Sequence, residues 1–292
     1  MDSEGNAVSG ARPSYFRVLT TFARNSLVRD MSFRANFLFQ FISSACWAMM
    51  NFGLFKIIYS HANTIGAGWG DHQFFIFLGT IWIINSIVQT FVMANAQEFS
   101  ELIRTGNLDF ALLKPIDTQF LISFPRITWA QVPNGILGLC LVIYSLNNLA
   151  AESGSTVHIS VWNCLAFVLF IACGVVVMYS VMIVLASTSI WLGRNQQLQS
   201  FWFYITNFYR YPMEIYQSNV LGWCLWSFFT FVIPVLVVSN VPARVLAQPS
   251  GYPFQTWEWL FAVYAIVAAV GSLFGSRWIF SRALRGYRSA SS

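Results

Sequence analysis

The sequence predicts an all-α integral membrane protein with six transmembrane helices, preceded by an amphipathic helix at the membrane surface. Of the 292 residues, 57% are hydrophobic and 9% are charged, whereas a soluble domain carries about 25% charged residues. The chain also contains 12 Trp and 11 Tyr residues, which are enriched where membranes meet water. So few charges cannot cover a soluble surface, so the composition excludes an ordinary soluble domain.

The N-terminal part predicts a tail and then a surface helix. Residues 1–13 are small and polar with no apolar core after a basic stub, so we expect a cytoplasmic tail and no cleaved signal sequence. Residues 14–34 predict an amphipathic helix whose basic side faces anionic lipid headgroups. Its apolar side comprises Phe16, Leu19, Ala23 and Leu27, and its polar side Arg17, Thr21, Arg24 and Asn25. The alternative, a surface helix of a soluble domain, is disfavoured because no soluble domain follows.

Six apolar runs follow, and each reaches the roughly 20 residues that cross a hydrocarbon core of about 30 Å. They define a transmembrane domain over residues 35–282, with a second tail over 283–292. The runs lie near residues 36–59, 73–97, 119–146, 159–192, 219–240 and 257–280. Six crossings place both termini on the same side. Between the fourth and fifth runs, we expect residues 194–219 to lie at the cytoplasmic interface.

The basic residues predict the orientation, because cytoplasmic connections carry an excess of Lys and Arg. With both termini in the cytoplasm, only Lys56 and Arg244 lie outside. The other basic residues are then on or near the cytoplasmic side: Arg12, Arg17, Arg24, Arg29, Arg34, Arg104, Lys114, Arg126, Arg194, Arg210, Arg277, Arg282, Arg285 and Arg288. This topology accounts for the net charge of +5, so we do not interpret that charge as nucleic-acid binding.

Two features within the runs predict contacts. The second run carries Asn85, Gln89 and Asn95, a polar stripe that must face protein or a cavity because lipid offers no hydrogen-bond partner. Interhelical hydrogen bonding and lining of a transport pathway are both open interpretations. In the sixth run, Gly271 and Gly275 form a G-x-x-x-G pattern that permits close helix approach.

The sequence lacks the motifs of several enzyme and transporter classes. It contains no G-x-x-x-x-G-K-[ST] motif and only two lysines, neither of them in a glycine-rich loop, so this chain is not itself a P-loop ATPase. No pair of His, Asp or Glu residues lies inside a run, as a proton relay or an intramembrane metal site requires. We therefore expect no cofactor in this chain and disfavour both an intramembrane enzyme and an ion-coupled carrier.

Residues 98–117 combine charges with apolar positions between two runs, and we call this segment the 98–117 loop. Its charged residues are Glu98, Glu101, Arg104, Asp109, Lys114 and Asp117. Residues 98–105 predict two helical turns that end at Gly106. Three leucines after this turn offer apolar anchors, namely Leu108, Leu112 and Leu113. Pro115 restricts where the next segment starts. Such a short helix suits a groove on a soluble partner, but a solvated connection between two spans explains the pattern equally well.

The same loop resembles a known family, the permease subunits of ABC-2 type exporters. The family pattern Ile-Arg-x-Gly-x-Leu-Asp-x-x-Leu-x-Lys-Pro is matched without a gap from Ile103 to Pro115. Weaker matches are Tyr211-Pro212-x-x-Ile215-Tyr216, the segment Phe231–Pro234, and Leu284-Arg285-x-Tyr287 near the end.

The resemblance implies the type V exporter fold in a bacterial cytoplasmic membrane. It implies that the 98–117 loop acts as the coupling helix, seated on a separate soluble P-loop ATPase that is present in two copies and holds ATP and magnesium. The coupling residues would be Glu98, Glu101, Ile103, Arg104, Gly106, Leu108, Asp109, Leu112, Lys114 and Pro115. A second permease chain, identical or sister, would complete the pathway for a hydrophobic or amphiphilic substrate such as a drug, lipid or glycolipid. The alternatives are a non-transporting scaffold or immunity component with a permease-like fold, and a carrier driven by an ion gradient.

Overall fold

The computed structural model describes residues 14–32, 34–61, 69–152, 160–192, 198–247 and 256–287, which are mostly helical. The α-helices are α1 (Tyr15–Ser32), α2 (Arg34–His61), α3 (Asp71–Val88), α4 (Ala94–Arg104), α5 (Leu108–Leu112), α6 (Thr118–Ser123), α7 (Val132–Glu152), α8 (Val161–Leu192), α9 (Leu198–Phe208), α10 (Val220–Ser227), α11 (Val235–Ala247) and α12 (Thr256–Arg285). Short π-helical turns cover Gln89–Met93 and Phe228–Val232, and 3₁₀ turns cover Trp129–Gln131 and Met213–Ser218.

Five helical segments in the described part of the chain are long and apolar enough to cross a membrane. They are Ala35–His61, Asp71–Arg104, Trp129–Ala151, Val161–Trp191 and Trp259–Arg285. A sixth candidate is a bent pair of helices, Val220–Val232 with Val235–Ala247. The prediction of an all-α membrane protein with about six spans is therefore confirmed.

Helix α3 lies at the centre of the bundle, packed between α7, α8 and α11. Phe74, Phe75, Ile76 and Phe77 are four consecutive residues without exposed surface. Because consecutive helical residues point in different directions, this burial means that α3 is surrounded on every side at this level. A span that is apolar all round is expected in such a position.

Small residues bring α3 and α7 into close contact. A Cβ atom added at Gly79 would lie 2.7 Å from the Gly138 carbonyl oxygen, and one added at Gly138 would lie 2.7 Å from the Gly79 carbonyl oxygen. At Gly271 and Gly275 an added Cβ would meet nothing within 4 Å. Among the described residues, the G-x-x-x-G pattern of α12 therefore makes no close approach to another helix, whereas α3 and α7 make one at glycines that form no such pattern.

The second span is longer than the predicted run of residues 73–97, because it continues as one helix to Arg104. The π-helical turn Gln89–Met93 joins α3 to α4. A π-helical turn breaks the regular i→i−4 hydrogen-bond ladder, and here the Thr90 carbonyl accepts a hydrogen bond from the Thr128 N–H at 2.9 Å. The irregular turn thus ties the second span to the chain that leads into α7.

Helix α1 is fixed to that same stretch of chain. The Ser26 hydroxyl accepts a hydrogen bond from the Ile127 N–H at 3.1 Å, and Asp30 accepts one from the Trp129 N–H at 3.0 Å. The Trp129 indole donates to the Ala23 carbonyl. Phe16 and Leu27 remain exposed, so the apolar side of α1 is divided between the bundle and its surroundings.

The fifth apolar run is not the single span predicted over residues 219–240. Its two halves are bent by 85° at Ile233 and Pro234, since proline cannot continue the hydrogen-bond ladder of the preceding helix. Pro242 also lies within α11, yet that helix continues to Ala247. The prediction for this run was therefore wrong in its shape.

Candidate functional site

The 98–117 loop folds into two helical pieces joined by a tight turn. Residues 98–104 continue α4, and the chain turns at Gly106, whose φ of 72° lies in the left-handed region. Glycine adopts this conformation without a steric penalty, which explains the helix end expected there. The short helix α5 then begins at Leu108 with Asp109 in its first turn, where a carboxylate interacts favourably with the helix dipole.

The apolar residues of this loop point in two directions. Leu108 has no exposed surface and belongs to the core that also contains Phe99. Phe110, Leu112 and Leu113 are exposed by 68%, 40% and 81%. The interpretation of Leu108 as an anchor for a partner is therefore corrected, because its side chain is used within the chain. Phe110, and not Leu108, is one of the apolar side chains that this loop exposes, and its position in the sequence pattern did not predict this.

Ion pairs fasten both ends of the loop to the bundle. Arg126 pairs with Glu98 at 3.2 Å, and Arg277 of α12 pairs with Asp117 at 2.7 Å. Glu101 pairs with Arg104 within α4. Exposed ion pairs of this kind contribute about 0–1 kcal/mol each, so they orient the loop more than they stabilise it.

The middle of the loop contacts the C-terminal end of the described chain. Asp109 lies beside Tyr287, and burial followed by the charge of this carboxylate raises the pKa of the tyrosine. Ile103 is half-buried against the core, while Lys114 and Pro115 are exposed. The charged side chains of Glu101, Arg104 and Lys114 are exposed as well. The surface of this loop therefore combines charges with the exposed apolar side chains of Phe110, Leu112 and Leu113.

A polar cluster connects the loop to the fourth span. Asp117 caps α6 by accepting a hydrogen bond from the Phe120 N–H at 3.0 Å. One turn further, Gln119 donates to the Tyr179 hydroxyl at 3.0 Å, and Ser123 lies 2.9 Å from the same oxygen. Tyr179 belongs to α8, so these hydrogen bonds join α6, which follows the loop directly, to the fourth span. The sequence offered no signal for the cluster, because its members are about 60 residues apart.

Two residues of the polar stripe in the second span hydrogen-bond to distant parts of the chain. The Tyr209 hydroxyl donates to Asn85 Oδ1. Asn95 donates to the Arg126 carbonyl at 2.7 Å and accepts from the Arg126 N–H at 2.9 Å. Gln89 is half-buried at the start of the π-helical turn. Both asparagines therefore face protein, although their partners lie just outside helices, and lining of a pathway stays a prediction for all three residues.

At the opposite end of the bundle, a second charged cluster joins distant segments. The Trp69 indole donates to Glu214 Oε2 at 3.1 Å, and Arg244 forms an ion pair with Glu214 while lying over the Trp69 ring. Lys56 of α2 forms an ion pair at 3.3 Å with Asp71, which begins α3 two residues after Trp69. These contacts place Glu214 and Arg244 at the same end as the connection between α2 and α3.

This cluster corrects the prediction that residues 194–219 lie at the cytoplasmic interface, since Glu214 lies at the other end of the bundle. Trp191, near the end of α8, lies by Gly286 near the end of α12, and the described chain resumes at Leu198. The chain therefore crosses the bundle between residues 198 and 214, and the bent pair α10 and α11 returns to the end where it started. Such a pair is a re-entrant segment, so the part of the chain that contains α9, and not the bent pair, crosses the bundle here.

In the described ranges, no group of three or more His, Cys, Asp or Glu side chains could hold a metal ion. A family model described as ABC-2 family transporter protein matches residues 45–291. No curated protein and no solved structure matches the chain.

Proposed function

The chain belongs to the ABC-2 family of transporter proteins, and we propose on this premise that it is the permease subunit of an ATP-driven exporter. As a family member with several membrane-spanning helices, it is a multi-pass permease component of an ABC transporter, and such components work with an ABC ATPase. The proposal adds that the ATPase is a separate soluble P-loop chain in two copies, which holds ATP and magnesium. It also adds that a second permease, identical or sister, completes the assembly in a bacterial cytoplasmic membrane with both termini in the cytoplasm.

The exposed side chains of Phe110, Leu112 and Leu113 carry this proposal. They project from a short helix at one end of the bundle, beyond the apolar part of the second span and among charged residues. At this position the helix extends into water, where a cluster of large exposed apolar side chains is typical of a protein interaction site. Helices that present apolar side chains to a groove are a common mode of recognition.

The contacts of the loop support a mechanical role. Asp117 at its end pairs with Arg277 of α12 and caps α6, and Gln119 of α6 hydrogen-bonds Tyr179 of α8. When ATP closes the ATPase dimer, the two loops are drawn together, and α8 and α12 move with them as rigid bodies. This chain performs no chemistry in that cycle. Its role is to convert the movement into a change in which side of the membrane the pathway faces.

The substrate we propose is hydrophobic or amphiphilic, of the class of drugs, lipids or glycolipids, and it is exported. The large apolar surfaces of the spans support this class. A substrate that partitions into the bilayer reaches the pathway laterally, so the protein does not need a hydrated entry lined with many charges.

Affinity purification of the tagged chain from its own cells in mild detergent tests the proposal, with mass spectrometry of the copurifying proteins. The wild type is expected to retain a soluble P-loop ATPase. The double variant Phe110→Asp with Leu113→Asp is expected to lose it by about 30-fold or more, because a truncated hot spot costs about 2 kcal/mol or more. Phe16→Asp is the matched control, since Phe16 is equally exposed on α1. Equal ATPase recovery from both variants would place the contact elsewhere.

Leu108→Asp is unsuitable for this test because it buries a charge in the core, and the chain is expected to lose stability for that reason alone. Membrane abundance and thermal stability of the double variant should match those of the wild type, so that loss of the ATPase reports on the interface. Absence of any ATPase from the wild-type complex, across several detergents and nucleotides, would favour a non-transporting scaffold.

A further inference from the structure

Arg210 lies at mid-height of the bundle, although its charge led to its prediction on the cytoplasmic side. Its guanidinium carbon is 5.8 Å from the centroid of the Trp47 ring, and Trp47 stands at the midpoint of α2. The preceding residue, Tyr209, hydrogen-bonds Asn85. Asn85 lies near the middle of the second span, which runs from Asp71 to Arg104. Contacts with α2 and α3 therefore place Arg210 far from both ends.

The side chain of Arg210 is exposed at this depth. Among the described residues, its guanidinium has one hydrogen bond, to the Asn207 amide oxygen at 3.4 Å from Nη1, and one cation-π contact, with the Trp47 ring, and it forms no ion pair with them. Neither contact neutralises the charge. A charged side chain that faces hydrocarbon at the centre of a bilayer is strongly unfavourable, and the interface is about 15 Å away, farther than the side chain extends. The guanidinium must therefore face a polar cavity or an anion.

The surroundings of Arg210 match an anionic headgroup with an apolar tail. A guanidinium presents its N–H donors in a planar fork that fits phosphate, sulfate and carboxylate oxygens. The amide oxygen of Asn207 is directed to Arg210, so its amide NH₂ remains a second donor. The ring of Trp47, which lies beside the guanidinium, is exposed, and exposed aromatic side chains also flank Arg210 in the sequence, namely Phe203, Tyr204 and Tyr211. Such rings accommodate an acyl chain or another apolar group.

We infer that Arg210, Asn207 and Trp47 form a binding site for the oxyanion headgroup of an amphiphile, halfway across the membrane. The inference rests on the proposed function, in which the permease moves an amphiphilic substrate, and it narrows that substrate to an anionic one. Depth matters for transport, because a site at mid-height is reached from either side when the spans change their packing. An oxyanion headgroup with an apolar tail is present both in a phospholipid of the bilayer and in an amphiphile at low concentration.

Binding of radiolabelled dodecyl phosphate to the full chain in phosphatidylcholine nanodiscs tests the inference. The wild type is expected to show saturable binding that unlabelled dodecyl sulfate displaces, while dodecyl maltoside and dodecyltrimethylammonium do not. Arg210→Gln is expected to weaken binding by about tenfold or more, because charge-assisted hydrogen bonds are lost. Arg210→Lys should retain part of the affinity. Arg24→Gln, which removes an exposed arginine from α1, should bind as the wild type does.

Equal affinity of Arg210→Gln and the wild type would overturn the inference, as would equal displacement by the neutral detergent. Dissociation of a permease oligomer by Arg210→Gln, measured by native mass spectrometry, would also overturn it, because the arginine would then pair with another chain. Nanodiscs that contain phosphatidylglycerol distinguish the sources. Loss of dodecyl phosphate binding there assigns the site to a bilayer phospholipid, and unchanged binding assigns it to a dilute amphiphile.

This assay requires no ATPase, so the two proposals fail separately. If the ATPase copurifies and its activity is coupled to the permease, but binding does not depend on Arg210, only the substrate inference fails. If binding depends on Arg210 and no ATPase is recovered, the exporter proposal fails and the site remains.

Discussion

Substitution of Gly79 by alanine tests the close packing of α3 against α7. The added Cβ would lie 2.7 Å from the Gly138 carbonyl oxygen and 2.7 Å from Val142 Cγ2, whereas non-bonded heavy atoms pack at about 3.5–4.0 Å. The two helices must therefore separate by roughly 1 Å at this point, because a backbone carbonyl cannot rotate away as a flexible side chain does. Overpacking of this kind costs about 1–3 kcal/mol.

Two other glycines provide matched controls for this substitution. At Gly53 in α2 and Gly271 in α12, an added Cβ meets nothing within 4 Å. Alanine there keeps only the gain in helix propensity, about 0.8–1 kcal/mol in a soluble helix. Because the same gain accompanies Gly79→Ala, the difference between variants isolates the overpacking penalty.

Thermal unfolding of the purified variants in one detergent measures this difference. For a chain of this size each kcal/mol corresponds to a shift of roughly 2–4 °C in Tm. We expect Gly79→Ala to melt roughly 2–12 °C below Gly271→Ala, with Gly138→Ala behaving like Gly79→Ala. If Gly79→Ala and the two controls melted at the same temperature, the close crossing of α3 and α7 would be wrong.

Three further predictions concern polar contacts. Asn95→Leu leaves the N–H and the carbonyl of Arg126 without their amide partner, so we expect a loss of about 2–3 kcal/mol and faster tryptic cleavage after Arg126; an unchanged cleavage rate would contradict this. In a double-mutant cycle, Glu214→Gln and Arg244→Gln should couple by about 1–3 kcal/mol in thermal unfolding, and additive effects would show that the ion pair does not form. Tyr179→Phe removes a hydroxyl that bonds two side chains of α6 and should lower stability by about 1 kcal/mol, a prediction that an unchanged Tm would refute.

The 98–117 loop shows how far local sequence reached towards the site. The helix end at Gly106 was predictable because a glycine there permits a positive φ, and this depends on no distant residue. The direction of each leucine was not predictable. Leu108 and Leu112 are four residues apart in one short helix, yet the first is buried and the second exposed. Only the position of the bundle beneath the helix decides which of them is covered.

The region after the fourth span shows where local reasoning failed. Residues 194–219 mix aromatic, polar and charged positions, a composition that is typical of a membrane interface. Trp69 nevertheless hydrogen-bonds Glu214, which is 145 residues away in the sequence. This contact shows that the segment reaches the opposite end of the bundle. Arg210 was misplaced for the same reason, because a count of basic residues assumes that each of them lies in a connection.

The sequence by itself determined that this chain is a helical membrane protein, because bilayer thickness sets the length of an apolar span and hydrocarbon excludes charge. It also marked the 98–117 loop, whose charges stand out between apolar runs. Only the tertiary structure decided which glycines touch, which leucine is buried, that the fifth apolar run is bent, and that Arg210 stands at mid-height. These features depend on contacts between distant residues, and in the membrane such contacts arise from close packing and hydrogen bonds, which an apolar sequence pattern does not specify.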